Sequence, residues 1–331
     1  MSPTQRPTHL CPRNLLVSWL LFGACLGATL AAFPVEVDNC GETLRINAPP
    51  QRAVIHDLNM TEMAFALGLQ SQIVGVTGIS GWYKTGAAFQ AELGRIPELA
   101  PKYPSLETLL MVRPDLFVAG WYYGMTPGGE VTPNTLAQHG IPTLVLTESC
   151  LSAGKPRPRA TMELLYRDVL RLGTVFGREP QAEQLVAQWR QRLQALRTIT
   201  TTGAGRPLLR VFVYDSGEDK PYTAGGAAMP TALIEAAGAR NVMDDIAGSW
   251  VTTSWETVAA RNPQFLILLD YQDGQGPAKL MATLRAHPAM RHTDAVKQLR
   301  YITLRYAELT PGPANIAAVE KLSKALRAAA P

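Results

Sequence analysis

No part of this chain spaces a nucleophile, a base and an acid as a catalytic centre requires. It has no Gly-x-Ser-x-Gly, no Gly-x-x-x-x-Gly-Lys-Ser/Thr, no His-Glu-x-x-His and no dinucleotide-binding glycine fingerprint. No catalytic residue, resident cofactor or metal is therefore expected. His56 closes an apolar strand, where open α/β sheets place ligand residues, but a bare-metal site needs several donors converging. His139 precedes Gly140, and His287 and His292 lie in a polar segment, so His56 reads as structural. What accumulates past the apolar runs is aromatic: Trp82 and Tyr83, then Trp121, Tyr122 and Tyr123, then Tyr222, Trp250 and Tyr271. Any one of them fits a core equally well. As a set, beside Gly, Pro and polar residues, they describe a wide amphipathic pocket for a bulky ligand. Lys84, Lys220 and Arg305 are the cations placed to meet an anionic group on it, and each also reads as a solvated surface charge. Tyr222-Thr-Ala-Gly-Gly226 reads either as an amide cradle for an anion or as a loop needing positive φ.

A second chemistry is paired. Ser105-Leu-Glu-Thr through Val118 aligns without a gap on Ser254-Trp-Glu-Thr through Ile267, keeping Ser, Glu, Thr and Pro in step. Each copy predicts a short helix stopped before proline, then a buried parallel strand. Glu107 and Glu256 occupy the same place at the start of these helices. One acid there is explained by the helix dipole. Two at matched places on two similar units put a pair of carboxylates on one outer face, which suits docking onto paired basic sites of a partner.

The elements that must position these groups alternate strand and helix. Strands are expected at Arg52–His56, Ile73–Thr77, Thr143–Leu146, Leu208–Tyr214 and Tyr301–Leu304. Helices are expected at Thr61–Leu67 (with Asn59 and Glu62 as a capping box), Thr135–His139, 160–177, Glu179–Arg197, Thr231–Ala237 and from about Ala314. The fold class is α/β, as two Rossmann-like lobes with mainly parallel sheets, 33–178 and 201–331, joined by one long helix over 179–200. A stiff helix at the joint predicts limited opening.

Composition agrees: 47% hydrophobic and 18% charged over 331 residues is globular, and the +4 formal charge is unclustered, which excludes a nucleic-acid footprint. Residues 1–32 have the layout of a secretory signal, with Arg13 before an apolar run that ends in small residues. An uncleaved anchor, or lipidation at Cys25, are the alternatives. Cys40 and Cys150 remain in the exported part; they are expected to form a disulfide, against the alternative of two buried thiols.

Five segments recur together in order and spacing: Arg52-Ala-Val-Ile-His-Asp-Leu-Asn-Met-Thr-Glu62, Leu106-Glu through Pro114-Asp-Leu-Phe-Val118, Pro221-Tyr-Thr-Ala-Gly225, Gly238-x-x-Asn-Val242 and Trp250-x-x-x-Ser-Trp-Glu256. On these, over about residues 35–328, the chain resembles a substrate-binding protein of ABC importers for ferric siderophores and cobalamin. The resemblance implies a periplasmic monomer of two lobes with ligand in the cleft between them. It implies that Glu107 and Glu256 dock onto arginines of an inner-membrane permease, and that Trp250 contacts ligand. No arginine cluster or His/Tyr haem pair stands out. The expected ligand is a ferric siderophore, with cobalamin or another corrinoid next, then haem. The alternative of another class is a metal-dependent enzyme subunit on a similar fold.

Overall fold

A computed structural model describes Met1 and residues 33–82, 85–120, 125, 126, 128–153, 159–200, 207–271 and 276–329. The described chain opens with an antiparallel hairpin, β1 (Val35–Asn39) and β2 (Glu42–Ile46). Then come β3 (Ala53–His56), α1 (Leu58–Ala66), β4 (Ile73–Thr77), α2 (Ala87–Leu93), β5 (Glu98–Ala100), α3 (Leu106–Val112), β6 (Leu116–Ala119), α4 (Pro133–Gln138) and β7 (Thr143–Val145). The five strands β3 to β7 form one parallel sheet in the order β5-β4-β3-β6-β7. Helices α5 (Met162–Phe176) and α6 (Glu179–Thr200) lead out of it.

The second half holds β8 (Arg210–Tyr214), β9 (Tyr222–Ala224), α7 (Met229–Ala236), β10 (Arg240–Asn241), β11 (Trp250–Thr252), α8 (Trp255–Ala260) and β12 (Phe265–Asp270). It finishes with α9 (Gly276–Ala286), α10 (Asp294–Lys297), β13 (Tyr301–Arg305), α11 (Tyr306–Leu309) and α12 (Ala314–Ala329). Its parallel sheet runs β10-β8-β12-β13, while β9 and β11 pair antiparallel beside it. Both sheets are covered on both faces, so their central strands are continuous apolar runs and not alternating ones. Alternate residues go to opposite faces: Ile55, Val211, Val213 and Ile267 join an apolar cluster that runs through both lobes. Val54 and Phe117 face a satellite core of the first lobe, and Phe212 and Leu268 face that of the second.

The long helix is where periodicity placed it, three residues longer. Its Val186, Trp189 and Leu193 are buried against the rest. Helix α5 buries Leu164, Leu165, Val169, Leu172 and Val175, each worth about 1.5–3 kcal/mol on removal from water. Both features make the joint between lobes a packed one.

The duplicated segment folds alike in its two places. Ser105 and Ser254 each cap their helix, accepting the amide of Thr108 and of Thr257 at 3.1 Å. Each helix is then stopped by a positive-φ residue ahead of proline, Arg113 (φ 45°) and Asn262 (φ 41°). Several boundaries differ from expectation, two of them through capping. Helix α1 starts at Leu58, because Asp57 and not Asn59 provides the cap: its Oδ1 accepts the Leu58 amide at 2.6 Å. Asn59 is instead buried and donates to the Pro311 carbonyl at 2.8 Å. Helix α4 starts at Pro133, capped by Thr132. Helices α2 and α9 have no sequence-based counterpart.

Cys40 and Cys150 are joined by a disulfide, across a sequence separation of 110. It ties the hairpin to the 3-10 turn Thr147–Ala153. No helix among the described residues is long and apolar enough to cross a membrane.

Candidate functional site

In each sheet the strand order reverses once. The first sheet starts at β3, adds β4 and β5 on one side and then returns to add β6 on the other. The second starts at β8, adds β10, then returns to add β12. Ligand crevices in open α/β sheets form beyond the carboxyl ends of strands at such switch points. The residues there are Asp57 after β3 in one lobe, and Asp215 after β8 with Tyr271 after β12 in the other. The two crevices face each other, because the Tyr306 hydroxyl donates to Asp57 Oδ2 at 3.2 Å across the lobes.

The first wall is built on β3. His56 is buried, and its Nδ1 lies 2.7 Å from the Thr77 hydroxyl. Burial lowers its pKa to about 3, so the imidazole is neutral. Its ring stacks on Tyr103 at 5.7 Å between centroids, with 9° between planes. Trp82 meets Tyr103 edge-on at 5.8 Å, and Lys102 Nζ sits 4.3 Å from the Trp82 ring centre. The wall depends on Gly78: its φ is +75°, and a Cβ there would lie 2.2 Å from the His56 ring. Asp57 also holds an uncommon backbone, φ 70° and ψ 152°, a strain of the kind that concentrates at ligand sites.

The second wall is tyrosine-rich. The Tyr271 hydroxyl donates to Asp215 at 2.8 Å, and its ring stacks on Tyr306 at 6.0 Å. Tyr222 and Trp250, diagonal neighbours across the β9–β11 ribbon, stack at 6.0 Å. Burial raises the Asp215 pKa to about 6 against the opposing hydrogen bond from Tyr271. Burial, with Asp215 next, pushes the Tyr271 phenol far up, so it stays protonated. No group of His, Cys, Asp and Glu among the described residues forms a metal cluster.

Further bonds join the lobes beside this cleft. Glu148 is buried; its Oε2 accepts the Met229 amide at 3.1 Å and its Oε1 accepts the Ser249 hydroxyl. The Ala160 amide donates to the Gly226 carbonyl at 2.8 Å.

Of the residues expected to bind ligand, Trp82, Tyr222, Trp250 and Tyr271 stand on these walls, Trp82 and Tyr222 more than a third exposed. Tyr83, Trp121, Tyr122, Tyr123 and Lys84 lie outside the described residues. Arg305 is half-exposed; its Nε is bonded to Glu308 at 3.1 Å, and Glu308 also takes Lys321. Lys220 is exposed in the turn before β9.

The amide cradle at Gly225-Gly226 is overturned. The Gly225, Gly226 and Ala227 amides donate to the carbonyls of Ser249, Ile246 and Gly248. Nor do these glycines need positive φ. A Cβ at either would lie within 2.6 Å of a carbonyl oxygen, Gly248 O or Asp244 O, so their role is close approach. Glu107 and Glu256 are exposed in the first turns of α3 and α8. A bond to its own backbone and one to Ser254 hold Glu256 below the usual carboxylate range.

Sequence reasoning missed Asp57, Tyr103, Asp215 and Tyr306. Asp57, Asp215 and Tyr306 each follow directly on a strand, a signal that could have found them. Tyr103 follows a strand of only three residues, too short to declare itself.

The vitamin B12-binding protein of Pectobacterium carotovorum subsp. carotovorum is 27% identical over 222 residues, 67% of this chain and 72% of its own. A crystal structure of a periplasmic binding protein from Veillonella parvula is 27% identical, with a TM-score of 0.75 over 88% of this chain and 96% of that one. The structure described as an ABC-type Fe3+-hydroxamate transport system from Saccharomonospora viridis shares the fold, at 23% identity and a TM-score of 0.75 over 89% and 99%. The periplasmic binding protein family profile matches residues 54–307, and the two-lobed α/β chain belongs to that family.

Proposed function

We propose that this chain is the solute-binding component of an ABC importer, exported to the periplasm, and that it captures a ferric siderophore between its lobes. The observation that carries this reading is the pair of aromatic walls at facing switch points: Trp82 and Tyr103 on one side, Tyr222, Trp250, Tyr271 and Tyr306 on the other. Broad aromatic faces bury the organic shell of a chelate while tyrosine oxygens and Asp57 orient it. The iron arrives already coordinated, so the protein supplies contacts to the chelator and no metal ligand. The mature protein acts as a monomer, released from its leader within residues 1–32. Lipidation at Cys25 is the other route of retention. Glu107 and Glu256 present matched carboxylates to an inner-membrane permease.

A corrinoid is the second reading, favoured by the relative named as a vitamin B12-binding protein. Quenching of tryptophan and tyrosine fluorescence by ferric hydroxamates, ferric catecholates, cyanocobalamin and haem decides among them. A ferric siderophore is expected to saturate the signal at the lowest concentration. Saturation by cyanocobalamin alone would replace the first reading with the second, and silence towards the whole panel would remove both.

A further inference from the structure

Trp250 and Tyr222 stand on a ribbon too small to place itself. Strands β9 and β11 are three residues each, and a two-stranded ribbon is marginal alone, so its flanks decide where its side chains lie. β9 is anchored at its start to the chain after β8, where the Asp215 amide donates to the Tyr222 carbonyl at 3.1 Å. β11 carries Trp250 as its first residue, and the segment 242–249 leads into it from β10.

Two groups of the first lobe grip that segment. Arg159 takes its early part: Nη1 donates to the Asp244 carbonyl at 2.9 Å and Nη2 to the Asp244 carboxylate at 2.8 Å. Glu148 takes its end, where the hydroxyl of Ser249, the residue just ahead of Trp250, donates to Oε1. The two grips differ in strength. Arg159 is more than a third exposed, so its ion pair is screened by water and weak. Glu148 is buried, and a buried carboxylate that loses a donor bears the cost of desolvation. Its own place is fixed from behind. The Ser149 amide donates to the Leu146 carbonyl at 2.9 Å, and Cys150 is tied by the disulfide to the hairpin.

From this arrangement we infer that Glu148 is a positioning residue for ligand binding: from the first lobe it fixes, through the Ser249 hydroxyl, the place of Trp250 on the second wall. The inference rests on the reading above in which Trp250 touches a chelate, and adds the residue of the opposite lobe that sets it there. Being buried, Glu148 acts on a ligand through the segment and not by contact. The aromatic wall is then complete only when the lobes are apposed closely enough for Glu148 to reach Ser249. Without the bond, the segment regains freedom that a ligand must remove on binding, and affinity falls by that cost.

The test measures, by calorimetry, the affinity of the purified protein for a ferric tris-hydroxamate and for cyanocobalamin. Both are titrated into the unaltered protein, Glu148→Ala, Ser249→Ala, Trp250→Ala and the two double variants that join Trp250→Ala to either of the others. Circular dichroism confirms each fold. Trp250→Ala is expected to weaken the probe that binds by about tenfold or more. Glu148→Ala and Ser249→Ala are each expected to weaken it about three- to tenfold when Trp250 is present, and less than about twofold once it is alanine. A residue that only stabilises the fold costs the same factor in both backgrounds. That outcome, or unchanged affinity in Ser249→Ala, overturns the inference and leaves Trp250 as a ligand contact. Ser249→Ala, which removes a single hydroxyl, decides if Glu148→Ala does not fold. Unchanged affinity in Trp250→Ala overturns the inference together with the place of Trp250 in the site, and failure of both probes to bind overturns the chelate-binding reading as well.

Discussion

Single residues carry the cleft by being buried in the wrong ionic state or exposed with the wrong polarity. His56 is the clearest case. Its folded pKa of about 3 lies below the ordinary 6.5, so the unfolded chain takes up a proton that the folded chain refuses. The stability it supports is complete above pH 6.5 and is lost as pH falls toward 3, by a few kcal/mol. Asp215 acts with the opposite sign: its raised folded pKa of about 6 makes the folded state gain stability as pH falls from 6 toward 3.8. In urea unfolding at pH 7 and pH 4, His56→Gln is expected to lose less stability on acidification than the unaltered protein. An equal loss would mean that the buried imidazole does not govern the acid limb. Trp250, stacked on Tyr222, is expected to contribute by contact: Trp250→Ala should weaken ligand binding by about 1–3 kcal/mol, read by titration, with folding intact. Unchanged affinity would remove it from the site.

Elements position these residues through their ends. Helices α3 and α8 are too short to be stable alone, yet each is fixed by the same serine cap and the same positive-φ stop before proline. The short helix and its stop before proline were legible in the sequence because the two copies keep Ser, Glu, Thr and Pro in step. It places Glu107 and Glu256 alike, so the double change to alanine is expected to abolish transport in cells while in-vitro ligand affinity stays the same. A fall in affinity instead would put the glutamates in the pocket and not at a docking face. Helix α7 behaves differently, because its own residues supply no side-chain cap. Its first amide is bonded by Glu148 from the other lobe. Glu148→Ala leaves the Met229 amide and the Ser249 hydroxyl without this acceptor, with an expected loss of about 2–4 kcal/mol in chemical denaturation. A loss within about 0.5 kcal/mol, as for an ordinary surface change, would show that the contact is incidental.

At the scale of the whole molecule, the lobes are held by the packed joint of α5 and α6, by bonds beside the cleft and by an apolar cluster common to both. The disulfide closes the first lobe instead. It pins the hairpin to the turn that carries Glu148, two residues before Cys150. In the chain-entropy account, a closed loop of about a hundred residues is worth roughly 4–5 kcal/mol. The hairpin has other tethers, however. Asn39 bonds both Thr143 and Val145, and Arg171 bonds the Asp38 carbonyl. The variant Cys40→Ser/Cys150→Ser is therefore expected to lose about 2–4 kcal/mol and stay folded, by calorimetry or urea titration. Loss of all cooperative unfolding would show that the hydrogen bonds cannot hold the hairpin by themselves.

What the sequence determined by itself was local and periodic. The alternation of strand and helix, the long joining helix, the duplicated helix stopped before proline and the aromatics beyond strand ends all follow from spacing within a few turns of chain. Tertiary structure alone decided polarity. Arg305 read as an unpaired cation, but folding sets its Nε against Glu308 on α11, a carboxylate that also takes Lys321 of α12. Gly225 and Gly226 read as an open cradle until the carbonyls of the Asp244–Ser249 segment closed on them. Tyr306 meets Asp57 from 249 positions away, and Tyr271 meets Asp215 from 56. Which group donates and which accepts depends on partners that only folding brings together, so no periodicity records it.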